Sequence, residues 1–233
     1  PVIYGVTLSG GVVTITGEAA AGAVVEFYES TNDANGHGEG VSFIGTGTVG
    51  GTGTAGTVDG SAIQFSFSFA QGTLLLGDTV TATATVSASF TSEFSANATV
   101  SEPNAAPVLD ASKSPALSAQ VEDAAAPAGA VGTLVSQLVD FATPTGQVDN
   151  VADANVSPQL GIAVTAADAT NGTWWYTVNG GSTWLALGAP SGGASRLLAA
   201  DASTRLYYRP DADTNGTLAT AVTFRAWDRT TGS

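Results

Sequence analysis

Along most of this 233-residue chain, apolar and polar residues change places at every second position. "IQFSFSF" sets Ile63, Phe65, Phe67 and Phe69 on one face, with Gln64, Ser66 and Ser68 on the other. "VTATATV" opposes Val80, Ala82, Ala84 and Val86 to three threonines, and "FSANATV" aligns Phe94, Ala96, Ala98 and Val100. A period of two with one apolar face predicts antiparallel strands packed on a core. Before residue 101 the pattern predicts strands near 2–9, 11–17, 23–29, 41–49, 61–69, 78–88 and 92–100, separated by glycine-rich turns. "GTGTVGGTGTAGTVDG" (45–60) reads as a strand running into a flexible loop.

"SEPNAAP" (101–107) breaks the alternation with two prolines and no apolar anchor, which marks a domain boundary. Beyond it, strands are expected near 117–122, 160–166, 173–179, 183–188, 205–209 and 220–228. Helical spacing is confined to "GTLVSQLVDF" (132–141), where Leu134, Leu138 and Phe141 would share one side of a short helix. The last strand, "AVTFRAWD", has no partner strand after it. The expectation is an all-β chain of two antiparallel β-sandwich domains in tandem, 1–101 and 108–233, joined by a proline-containing linker at 102–107. The second sandwich is expected to lack its last strand. That leaves an open sheet edge for another segment or a second copy to fill.

Composition narrows the function classes. The chain carries 6 Lys+Arg against 20 Asp+Glu, a net charge of −14, and residues 1–110 hold no Lys or Arg at all. Such a surface repels phosphate backbones and anionic lipid heads, so nucleic acid and membrane surfaces are poor partners. Calcium, which prefers carboxylate and carbonyl oxygens, is the natural cation. With no Cys, disulfides, thiolate zinc sites and cysteine nucleophiles are excluded. With His37 as the single histidine, a zinc cage or a Ser-His-Asp triad has no support. No 18-residue apolar run is present, so no membrane span is expected in this segment.

Several spaced motifs resemble known families. "AGAVVEFYESTNDANGHGEGVSFIGTGTV", followed by "GDTVTATATVSASFTSEFSANATV", resembles the immunoglobulin-like module of large secreted bacterial proteins over residues 1–100, with an expanded loop near 50–62. In the second half, "NAAPVLD", "VEDAAAPAGAVGTLVSQLVDF", "GIAVTAAD", "NGTWWYTVNGGSTW", "LLAADASTRLYYRPDADTNGT" and "VTFRAWD" follow one another. They are similar, in order, to the cadherin-like repeats of giant RTX-type bacterial surface adhesins. The resemblance implies an extracellular stalk or adhesin at the bacterial cell surface, whose partners are neighbouring domains of the same long chain. Ala105 stands where that family usually carries an acid.

Two candidate sites stand out. Seven residues are candidate calcium ligands: Glu122 and Asp123 in "VED", Asp149, Asp153 and Asn155 in "DNVADAN", and Asp211 and Asp213 in "PDADTNG". "TNDANGHGEG" adds Asn32, Asp33, Asn35 and Glu39. Calcium takes six to eight oxygens, so several of these loops would have to converge; the same residue types also favour simple Asx turns. The other candidate is "NGTWWYTVNGGSTW". Adjacent strand residues point to opposite faces, so Trp174 is expected in the core and Trp175 on the outer surface, a candidate glycan contact. Asn179–Gly180 suits a primed hairpin turn with positive φ at both residues. Thr177, Asn179, Gly181, Thr183 and Trp184 also resemble the Asp-box hairpin of sialidase propellers, a structural turn remote from catalysis.

Three functions remain open at this stage. One is a non-enzymatic structural or adhesive segment that spaces or displays other domains. Another is a subunit of a self-assembling extracellular filament, sheath or matrix, with an edge strand supplied in trans. The third is a carbohydrate-binding accessory module.

Overall fold

In the computed structural model, which describes residues 1–31, 36–86 and 90–230, the alternating segments are strands and the chain is all-β. It divides into two compact units, Pro1–Pro103 and Asn104–Ser233. Among the described residues no helix is long and apolar enough to cross a membrane.

Unit 1 holds β1 (Val2–Ser9), β2 (Val12–Ala19), β3 (Val24–Ser30), β4 (Gly40–Thr48), β5 (Ile63–Ala70), β6 (Thr79–Val86), β7 (Phe90–Thr91) and β8 (Ala98–Ser101). The strand order is β4-β3-β6-β8-β1-β2-β5, with β7 pairing β6. Every pairing is antiparallel except that of β1 with β8. The sheet curls until its first and last strands meet: the ring of Phe67 lies over Gly47 and that of Phe69 over Gly45, where any side chain would collide. Phe27, fully buried, is the hub of this closure, with the rings of Phe65, Phe67 and Phe69 at 5.7, 5.9 and 5.6 Å.

Strand β6 departs from the one-faced pattern, because Thr81 and Thr83 are buried as well as Val80, Ala82 and Ala84. The expected strand over 92–100 is broken beside it. Ser95 and Ser92 donate their N–H groups to the Ala82 and Ala84 carbonyls. Their hydroxyls in turn accept the Ala82 and Ala84 N–H groups, at 3.1 and 3.0 Å. Side-chain oxygens thus replace part of the ladder, and the alternation slips: Ser95 is buried, Ala96 is exposed, and Phe94 stacks edge-on against Tyr28.

The glycine- and threonine-rich loop after β4 is tied down by one carboxylate. Glu18, 1 % exposed, accepts the Tyr4 hydroxyl and the N–H groups of Val58 (3.1 Å) and Asp59 (2.7 Å). Burial pushes its pKa up. The Tyr4 hydroxyl and the backbone N–H groups of Val58, Asp59 and Thr57 outweigh that and hold it below the ordinary 4.5.

Unit 2 is a sandwich of shorter strands. One sheet has the order β10 (Thr133–Leu134), β16 (Arg205–Pro210), β13 (Gly172–Thr177), β14 (Leu185–Ala186). The other runs β15 (Arg196–Ala199), β12 (Gly161–Ala167), β17 (Val222–Trp227), and β9 (Val108–Leu109) pairs separately with β11 (Val151–Ala152). Ile162, Val164 and Leu198 from one sheet meet Trp174, Tyr176 and Leu206 from the other in a single core. Two expectations fail here. Residues 117–122 form no strand, and the helix over 132–141 reduces to β10 followed by one 3₁₀ turn, Val135–Gln137. The reason is that strand pairing takes both ends of the segment, Thr133–Leu134 against β16 and Phe141 against Val151, which leaves one buried turn between them.

If Glu18 clamps the loop, Glu18→Gln is expected to lower the melting temperature of unit 1 by about 5 °C or more at neutral pH. Its folded-state pKa is depressed, so its contribution is complete above about pH 4.5 and disappears as pH falls through the folded value. The gap between wild type and variant in thermal melts is therefore expected to close in acid. A gap that does not narrow as the pH falls below 4.5 would contradict the clamp.

Candidate functional site

The tryptophan-rich hairpin sorts its side chains by strand register. Trp174 is paired with Tyr208, Trp175 with Tyr207 and Thr177 with Arg205, so each pair shares a face. Trp174 is buried in the core, donates its indole N–H to the Asp168 carbonyl at 2.7 Å, and lies 4.9 Å from the Tyr208 ring. Tyr176, on the same face, carries the Arg196 guanidinium 4.9 Å above its ring.

The opposite face is covered over part of its length, although Thr173 and Arg209 at one end of it are exposed. Residues 121–132 cross it as a strap, and four side chains of the sheet donate to the strap's carbonyls. Arg209 Nε reaches Ala124 at 3.1 Å; Tyr207 Oη reaches Ala125, Trp184 Nε1 reaches Gly129 and Arg205 reaches Gly132, each at 3.2 Å. Gly181, at φ +92°, packs so closely on the Gly129 carbonyl that no side chain fits between them. Trp175 is therefore half-buried, not the exposed member of the pair, and its indole N–H is enclosed without a hydrogen-bond partner. The sequence did contain a signal for the strap. "RLYYR" sets Arg205, Tyr207 and Arg209 on one face, in a chain with only six basic residues.

The turn of this hairpin also differs from expectation. Positive φ falls on Gly180 and Gly181 rather than on Asn179 and Gly180. Asn179 is held by its side chain, whose Oδ1 accepts the Thr177 hydroxyl and the Thr183 N–H, both at 2.9 Å, while Thr177 Oγ1 accepts the Gly181 N–H at 3.1 Å. The residues of the Asp-box-like pattern thus bond one another and build the loop.

The seven candidate calcium ligands lie on three parts of unit 2. Asp123 and Asp213 meet, the Asp213 N–H donating to Asp123 Oδ1 at 3.1 Å, which brings the exposed Glu122 and Asp211 to the same pair of loops. Asp149 caps its own turn by accepting the Gly146 N–H at 2.5 Å. The neighbouring Asp140, not among the seven, takes the N–H groups of Gln147, Val148 and Asp149. Asp153 accepts the Asn155 N–H at 2.8 Å, and Asn155 Oδ1 takes the Ala105 N–H at 2.8 Å. Near them, Asp228 accepts the Asn104 amide at 2.6 Å, which with the Thr230 hydroxyl and N–H holds its pKa low against burial.

Asp123, Asp149 and Asp213 all adopt left-handed φ, between 51° and 57°, a conformation that Asp tolerates better than most residues. Among the described residues no three His, Cys, Asp or Glu side chains group as a metal cage requires. The seven therefore do not form one site. Only Asp153 keeps a buried oxygen, Oδ2, without a partner. Of the loop in unit 1, Asn32, Asp33 and Asn35 lie outside the described residues, while His37 and Glu39 are exposed.

Comparison with protein-family models, curated proteins and solved structures finds no match for this chain.

The two adjacent tryptophans are expected to differ in cost. Trp174→Phe removes core volume and orphans the Asp168 carbonyl, and is expected to cost about 1–3 kcal/mol in urea denaturation. Trp175→Phe removes an enclosed N–H that bonds nothing, and is expected to change stability by less than about 0.5 kcal/mol. Equal costs would mean that the two faces are misassigned.

Proposed function

We propose that this chain is a non-enzymatic structural segment of a large extracellular bacterial surface protein, one that spaces or displays other domains. The observation that carries the reading is the succession of two β-units, each with its own buried core, in a chain whose first 110 residues carry no basic side chain. Such units need no disulfide, and a strong negative charge discourages edge-to-edge association of neighbouring copies. The ordered motif series that resembles cadherin-like repeats supports the same reading. So does the use of the acids: Asp123, Asp140, Asp149 and Asp153 accept hydrogen bonds from backbone N–H groups, as turn-builders do. The carbohydrate-binding alternative loses support, because the strap covers the face that carries Trp175.

Antibodies raised against this chain are expected to label intact, unpermeabilised source cells, and Fab fragments to reduce their attachment or clumping. Labelling only after permeabilisation would overturn the surface assignment.

Calcium enters this reading as a proposed ligand at Asp153, whose unpartnered carboxylate oxygen beside Asn155 is the best available start of a cation site. EDTA is then expected to lower the melting temperature of the wild-type chain, and Asp153→Asn to abolish that response. An identical melting curve with and without EDTA would remove calcium from the account.

A further inference from the structure

Across β2 and β5 the outer face of the unit 1 sheet carries hydroxyls. Thr14 pairs with Ser68 and Thr16 with Ser66, and the hydroxyls of Thr14 and Ser68 bond at 3.0 Å. At β3 and β4 the outer face carries aromatic rings instead. Tyr28 follows the core residue Phe27 and so points away from the core. Its register partner on β4 is Phe43, and the two rings lie 5.6 Å apart. The Phe94 ring also meets Tyr28, at 5.8 Å. Two irregularities in the β3–β4 register, at Phe27/Tyr28 and at Glu29/Ser30, set Phe43 opposite Tyr28 and Gly40 opposite Ser30. A side chain at residue 40 would collide with the Tyr28 ring and crowd that of Phe94, so the glycine lets the two rings meet. Phe43 is 58 % exposed although its strand is fully paired with β3, so a regular element holds an aromatic ring in water.

The charge around this cluster is of one sign. Residues 1–103 contain no Lys or Arg, so no side chain of unit 1 can offer the rings or the nearby acids such a cation. Glu26 shares the face of β3 with Tyr28, and burial followed by that carboxylate holds the Tyr28 phenol above its ordinary 10.0. Glu39 and Glu93, both exposed, adjoin Gly40 and Phe94 in the chain. A sugar chain stacks on rings that lie side by side in one plane, whereas these meet edge-on, at 65° and 87°. The same face of a second copy would set acids against acids, and the rest of the chain is itself net acidic. A guanidinium or ammonium group between aliphatic side chains suits both features, the cation meeting ring faces and carboxylates while its neighbours cover Phe43. We propose that the Tyr28–Phe43–Phe94 cluster is a docking surface for a cationic segment of a partner protein, with Arg or Lys set between aliphatic residues. This goes beyond the proposed structural role and does not depend on it, because a spacer needs no such surface.

The probe is the synthetic peptide GLRLRLG. Titrated into the full ¹⁵N-labelled chain, it is expected to shift the amides of Tyr28, Phe43 and Phe94, saturably and at one peptide per chain. GLQLQLG lacks the charge and GSRSRSG the apolar flanks, and each is expected to bind at least about tenfold more weakly. Phe43→Ser, if folded by circular dichroism, is expected to lose the response and Glu26→Gln to weaken it; the peptide comparison on the wild-type chain requires neither variant. Equal binding of GLQLQLG would reduce the cluster to a non-specific apolar patch, and equal binding of GSRSRSG would reduce the effect to general attraction by an acidic chain. Either result overturns the proposal, as does binding of none of the three. Cellohexaose shifting the same amides where GLRLRLG does not would make the cluster a glycan site and overturn it. So would dimerisation of the chain alone that blocks the peptide, making a second copy the occupant.

Discussion

A strand that buries one face in a core still presents two edges and an outer face, and each must be paired, covered or left to water. That constraint governs this protein more than any single contact, because it has no cysteine and, among the described residues, no long helix to close a core by other means. In unit 1 the answer is steric. Gly45 and Gly47 remove side chains from β4 so that Phe67 and Phe69 of β5 can lie on its backbone, and the curled sheet closes around Phe27. In unit 2 the outer face of β13 and β16 is crossed by the 121–132 strap, held by side chains of β16.

The polar groups follow from the same requirement. Irregular segments that cross a sheet carry backbone groups with no ladder partner, and side chains supply what the ladder does not. Glu18 gathers the N–H groups of the 56–59 loop, Asp140 those of residues 147–149, and Ser92 and Ser95 mend the break beside β6. Arg205, Tyr207, Arg209 and Trp184 serve carbonyls in the same way. Acids and aromatics that would attract attention as ligand-binding residues are thus engaged in holding loops onto sheets. The proposed structural role fits that use of chemistry, since a module that spaces other domains needs stable surfaces more than reactive ones.

Long alternating runs were readable from the chain because a period of two with one apolar face has few other solutions. β1 to β6, β12, β13, β16 and β17 lie within two residues or so of where the pattern puts them. Strands of two residues, such as β9, β10 and β11, are too short to establish a period, and the four residues of β15 went unmarked for the same reason, whereas β14 lies within the expected 183–188. The alternation at 92–100 misled because serine hydroxyls can take ladder positions, which hydropathy does not register. At the tryptophan pair, opposite faces followed from strand geometry and Trp174 went to the core as its neighbours require. What covered Trp175 depended on a strap some fifty residues earlier in the chain.

The sequence by itself determined the all-β character, the alternating faces of the longer strands and the turn chemistry of the Asx-rich loops, because these depend on residues within a few positions of one another. Only the tertiary structure decided which faces are covered and which acids meet. Those outcomes rest on contacts between segments far apart in the chain, such as Asp123 with Asp213, Tyr207 with Ala125 and Glu18 with Asp59, and no local pattern encodes them.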